Sequence, residues 1–175
     1  QDQTPLTGGI SIFFASHLTL FYFFETISID QITLLICGGL ILILGVIDDK
    51  LDLSASKKLI FQTLIVLTFI IINECTINDL GTPLGFSSSL ELGLLSIPFT
   101  LFAIVGLTNA FNMIDGCDGL ASSLIIISLL ALLIFETAEL SDSNHLLLLI
   151  LVSSLIVFLC CNFTNNKNIK VFLGD

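Results

Sequence analysis

The chain has 175 residues, 55% of them hydrophobic and 11% charged, with a mean hydropathy of +1.07. A soluble domain carries about a quarter charged residues, so this composition rules out a disordered chain and weighs heavily against a water-soluble globule. The net charge of −10 and the lack of any basic stretch exclude nucleic acid as a partner and leave the lipid bilayer as the natural environment.

Six apolar runs follow in chain order, at 10–24, 32–47, 59–72, 92–110, 120–135 and 146–161. They are slightly short of the ~20 residues needed for a bare span, and flanking Ser, Thr, Gly and Asn extend each into the headgroup layer. Only helices or closed barrels satisfy the backbone in lipid, and long non-alternating runs do not suit barrel strands. The expected fold is therefore all-α: a polytopic membrane bundle of about six transmembrane helices, with 1–175 as a single membrane-embedded domain. The first run is no signal peptide, since no charged segment precedes it and five more runs follow. The cysteines show no paired spacing for zinc or a disulfide framework. His17 lies within the first run and His145 at the outer edge just before the last, and both read as structural.

Six spans divide the polar segments into two sets. Lys50, Lys57, Lys58, Lys167 and Lys170 all fall in the set formed by 1–9, 48–58, 109–119 and 162–175. None falls in the set formed by 25–30, 73–91 and 136–144. By the positive-inside rule the first set is cytoplasmic. Glu25, Asp30, Glu74, Asp79, Glu91, Glu136, Glu139 and Asp142 are then solvated charges of the outer loops.

The inner acidic residues cluster at span ends. Asp48, Asp49 and Asp52 leave the second run, where a helix C-terminus disfavours carboxylates, and a continued helix would add like-charge repulsion. A cation such as Mg²⁺ would compensate them, as would Lys50, Lys57 and Lys58, which could instead hold a phosphate; a solvated turn balanced by its own lysines is the plain alternative. Asn109, Asn112, Asp115 and Asp118 form a second cluster at a spacing of three, too far around a helix for all four to share a face. Gly116 and Gly119 suggest that the helix breaks there and the backbone approaches a ligand closely. Polar residues at membrane depth are functional candidates by default. A third cluster, Val171-Phe172-Leu173-Gly174-Asp175, is weak by itself.

The string Asn-Ala-Phe-Asn-Met-Ile-Asp-Gly-Cys-Asp-Gly-Leu at 109–120 resembles the signature of the bacterial polyprenyl-phosphate N-acetylhexosamine-1-phosphate transferases, whose wider kin include the phospho-MurNAc-pentapeptide translocase. Pro5-Leu-Thr-Gly8-Gly9, Asp48-Asp49-Lys-Leu-Asp52, Asp79-Leu-Gly-Thr-Pro-Leu-Gly and the final pentapeptide match in order, so the resemblance covers the whole chain. The family has one further helix before these elements, and several helices and a histidine-rich loop after them. The chain therefore reads as an internal fragment, inactive alone.

The resemblance implies a Mg²⁺-dependent transfer, with Mn²⁺ as a substitute. N-acetylhexosamine-1-phosphate, GlcNAc-1-phosphate above all, passes from a UDP-N-acetylhexosamine to undecaprenyl phosphate with release of UMP. This is a first membrane step of cell-envelope polysaccharide synthesis, at the cytoplasmic face of the bacterial inner membrane, and a homodimer is compatible with it. Carried over residue by residue, Asn112 and Asp175 are metal or diphosphate ligands, and Asp118 contacts uracil while Phe172 stacks on it. Asp115 lines the nucleotide-sugar side, and Asp48 and Asp49 serve the attacking phosphate as base or orienting ligands. Asn109, Lys58 and Asp52 complete the substrate-binding set. Phosphoryl transfer needs positioning and charge neutralisation above all, which clustered carboxylates at a membrane face can supply. The alternative class, a cation- or proton-coupled transporter, would place its acids near span centres, whereas 120–135 and 146–161 contain none.

Overall fold

The computed structural model describes residues 8–23, 28–82, 89–115, 119–135 and 142–164. Among them are six α-helices: α1 (Gly8–Phe23), α2 (Ile29–Leu51), α3 (Ala55–Asn73), α4 (Ser96–Ile114), α5 (Leu120–Phe135) and α6 (Asp142–Asn162). Each apolar run has become a helix, so the all-α membrane bundle holds. Among the described residues, four stretches, against about six expected, are long and apolar enough to cross a bilayer: Ile29–Leu51, Ala55–Asn73, Gly93–Ile114 and Asn144–Asn162. The helix Leu120–Phe135 is apolar but shorter.

Large apolar side chains face outward along these helices. Ile36, Ile71, Phe102 and Leu107 are each more than half exposed, a pattern that water would punish and lipid tails accept. The hydroxyls within the runs turn back on their own helices. Thr33 donates to the Ile29 carbonyl, Thr63 to Leu59, Thr68 to Leu64 and Thr108 to Ile104, all at 2.7–2.9 Å. In a medium without water that back-bonding satisfies the hydroxyl without a partner helix.

The chain forms two compact units, one of Ser28–Ala110 and the other of Gln1–Ile27 with Phe111–Asp175. In the first, α2 and α3 pack as an antiparallel pair joined by a three-residue turn. A capping box opens α2: Ser28 Oγ accepts from Gln31 N–H while Gln31 Oε1 accepts from Ser28 N–H, both at 3.2 Å. Asp52 closes it in the left-handed region (φ 48°), its N–H bonded to the Asp48 carbonyl. Val66 and Ile70 of α3 and Val105 of α4 form a buried cluster, with Ile41, Leu101 and Ile104 packed on it. Between α3 and α4 the segment around Asp79 makes a bridge with Glu91. Asp79 Oδ1 accepts from Gly81 N–H at 2.8 Å, which lets Gly81 take φ +72°. Thr100 Oγ1 accepts from Ile77 N–H at 2.9 Å and ties this segment to α4. Glu74, Asp79 and Glu91 are exposed, as expected of loop charges.

In the second unit α6 packs against α1 and α5. Gly119 (φ +72°) begins α5 pressed against the Phe163 ring and Leu159, where a Cβ would collide with both. The close approach expected at this glycine is thus made to the chain's own aromatic ring. His17 Nδ1 bonds the Phe13 carbonyl at 2.7 Å, and its ring packs on that of Phe13, in keeping with a structural histidine.

Candidate functional site

The helices overrun the apolar runs, and this overrun positions the polar residues. α2 continues through Asp48, Asp49 and Lys50, so Asp48 and Asp49 lie in its last turn. α3 starts ahead of its apolar run, which puts Lys57 and Lys58 in its first turn. Asp48 therefore sits at the negative end of one helix and Lys58 at the positive end of the next, each where its own helix disfavours it. The antiparallel turn brings the two together. Lys58 Nζ lies 2.6 Å from Asp48 Oδ2, both side chains 12% exposed. Asp48 Oδ1 accepts from Leu53 N–H at 3.0 Å, and the Asp48 carbonyl from Asp52 N–H at 2.9 Å. One residue thus staples the turn by both side-chain oxygens and its backbone. Asp49, Lys50, Asp52 and Lys57 are exposed around it.

One turn further along α3 comes Gln62, 3% exposed. Asn109 of α4 donates from Nδ2 to Gln62 Oε1 and to the Val105 carbonyl, each at 2.8 Å. Lys58 and Gln62, spaced i and i+4, share a face of α3. That face holds the end of α2 through one and α4 through the other. Asn109 also borders an open groove of about 300 Å³ between α3 and α4, walled by Leu59, Thr63, Leu101, Phe102 and Gly106. Gln62 was not singled out in the sequence. Its signal was nevertheless visible: it is the one primary amide inside the run 59–72, too long to bond back to its own helix as the neighbouring threonines do.

Asn112 and Asp115 belong to the other unit. Asn112 lies in the last turn of α4, and Asp115 follows its end. The Asp115 N–H bonds the Phe111 carbonyl at 3.0 Å and the Asn112 carbonyl at 3.3 Å, so the final turn tightens before the chain leaves the helix. The helix break expected in this motif falls here, between Ile114 and Leu120. Asp118, Phe172 and Asp175 lie outside the described residues, as does Gly116.

Among the described residues no three of His, Cys, Asp and Glu gather into a self-contained metal site. The candidate donors are all carboxylate and amide oxygens. Such a set suits Mg²⁺, which keeps most of its water and takes one or two carboxylates plus substrate phosphate.

A profile described as glycosyl transferase family 4 matches residues 31–175. A Bacillus subtilis protein named "Probable undecaprenyl-phosphate N-acetylglucosaminyl 1-phosphate transferase" is 35% identical over 98% of this chain and 46% of its own length. Two proteins named undecaprenyl-phosphate alpha-N-acetylglucosaminyl 1-phosphate transferase are similar along all of it. The one from Yersinia pestis is 29% identical over 48% of its length, and that from Escherichia coli K12 27% identical over 47%. The chain spans about half the length of these curated relatives.

Proposed function

The chain belongs to glycosyl transferase family 4, and from that premise we propose that the full-length gene product moves N-acetylglucosamine-1-phosphate from UDP-N-acetylglucosamine to undecaprenyl phosphate, releasing UMP. The observation that carries this reading is the polar end of the Ser28–Ala110 unit. In a chain otherwise built for lipid, the Lys58–Asp48 pair and the Gln62–Asn109 bond lie one turn apart on α3. Every Asp and Glu of the described helices lies in a terminal turn, a distribution that favours surface chemistry over an ion path through the span. With the lysine asymmetry, that end faces the cytoplasm, where the nucleotide sugar is found.

A phosphate monoester with a second pKa near 6 is mostly dianionic at neutral pH, so the acceptor needs orientation more than deprotonation. Lys58, held in place by Asp48, supplies a fixed positive charge for that phosphate. The ion pair makes Asp48 the residue that aims Lys58, with exposed Asp49 as the second carboxylate of the same helix end. Asp115 lines the nucleotide-sugar side, Asp118 reads the uracil edge and Phe172 stacks on its face. Asn112 and Asp175 would hold Mg²⁺, which when bound would neutralise charge on the diphosphate of the donor.

Membranes carrying the full-length protein, given UDP-GlcNAc labelled in the sugar and in the β-phosphate together with undecaprenyl phosphate, should yield a lipid holding both labels and free UMP. The product should vanish with a chelator and return with Mg²⁺. Transfer of the sugar without its phosphate, or release of UDP, would refute the reaction class.

A further inference from the structure

The hydrogen bonds around Asn109 determine what that residue can recognise. Its Nδ2 carries two hydrogens, and both are committed, to Gln62 Oε1 and to the Val105 carbonyl. Turning the amide over would set Oδ1 against the Val105 carbonyl, acceptor facing acceptor, and would strip the buried Gln62 oxygen of its donor. Asn109 is left with one group to offer, the carbonyl oxygen Oδ1, and that group only accepts. A phosphate dianion presents only acceptors, and an isoprenoid chain presents no hydrogen-bonding group at all. Neither end of a lipid phosphate satisfies Oδ1, although the adjoining groove is apolar. A sugar hydroxyl or an acetamido N–H does.

We propose that Gln62 is a positioning residue that locks Asn109 as an acceptor, so that Asn109 selects a hydroxyl or amide N–H of the N-acetylhexosamine donor. This rests on the transferase reading above and adds to it a residue and a specificity. Lys58 and Gln62 then divide the labour along one face of α3, the ammonium for phosphate and the locked amide for sugar.

The test is steady-state kinetics on the full-length protein in membranes, with thermal unfolding in detergent measured alongside. Gln62→Met keeps the length of the stem and removes the acceptor. It should raise KM for UDP-GlcNAc on the order of tenfold, as expected for the loss of one hydrogen bond's orientation. KM for undecaprenyl phosphate and the Mg²⁺ concentration for half-activation should stay unchanged. Gln62→Glu retains an acceptor on the same stem; burying a carboxylate lowers the unfolding midpoint, but the KM for UDP-GlcNAc should stay closer to wild type than that of Gln62→Met. Because Gln62 acts through Asn109, combining Gln62→Met with Asn109→Ala should be no worse than Asn109→Ala alone. Losses that multiply, or a KM effect on the lipid or on Mg²⁺ instead of the sugar nucleotide, overturn the assignment while the transferase stands. An unaltered protein that transfers nothing overturns the transferase reading, and this inference with it.

Discussion

Replacing Lys58 with methionine isolates the charge that joins α2 to α3. The stem still packs, but Asp48 keeps a carboxylate at 12% exposure with the Leu53 N–H as its remaining side-chain hydrogen bond and no ammonium at 2.6 Å. A hydrogen bond to a charged group contributes about 1.5–3 kcal/mol, and stripping one partner from a fully buried pair costs about 3–5 kcal/mol. The pair sits near a helix end and is partly reached by solvent, so a loss of about 2–3 kcal/mol is expected. In a full-length protein of about twice this length that is roughly a 3–4 °C fall in the unfolding midpoint. Asp48→Asn should cost a similar amount, because its new amide N–H groups face the ammonium. The double variant, Asp48→Asn with Lys58→Met, should recover at least half of the summed loss, since it leaves no stranded charge. The assay is thermal unfolding of the full-length protein in detergent at low ionic strength. Single losses that simply add would refute the pairing and the staple built on it.

Gly119→Ala should destabilise by about 2–4 kcal/mol, from a left-handed φ and a Cβ driven into Phe163; adding Phe163→Ala should relieve only the steric part in the same unfolding assay. Exposed Cys75 should react with an impermeant maleimide in intact cells, whereas a cysteine at exposed Ser56 should react only after permeabilisation, and equal labelling would overturn the topology. Asp→Asn at Asp49, Asp115 or Asp118 should lower turnover by orders of magnitude with insertion intact, while Asp142→Asn changes almost nothing. Equal losses on both sides would put the active face elsewhere.

The helices were legible in the sequence because lipid imposes one pattern, the uninterrupted apolar run. Their ends were not. Hydropathy marks where the oily layer stops, whereas a helix stops at its cap, and α2 carries on through Asp48-Asp49-Lys50 to a left-handed cap at Asp52, a residue type that gives no such signal. The overrun carries Asp48 and Lys58 into each other's reach, so the pairing depended on a boundary that composition cannot locate. The segment at Asp79 and Gly81 stood out only through its resemblance to the family's motif, not through its hydropathy. Gln62 was passed over because an apolar run is read for what fills it, and one amide among fourteen residues barely changes the average.

That amide matters because of how helices associate in lipid. Tails outside are as apolar as the side chains between helices, so burial does little to choose the register in which α2, α3 and α4 meet. Polar contacts must choose it. The Gln62–Asn109 bond pins α3 to α4 near one end, and the Ile77–Thr100 bond ties the segment after α3 to α4 near the other, with the Val66, Ile70 and Val105 cluster between. Slipping α4 by one residue would shift it about 1.5 Å and turn it about 100°, breaking both pins together. The Lys58–Asp48 pair fixes α2 against the same face of α3 in the same way. Two of these three polar contacts are therefore made by residues proposed to meet phosphate and sugar, or by their direct partners. A substitution that loosens the register should misplace the site before it unfolds the chain.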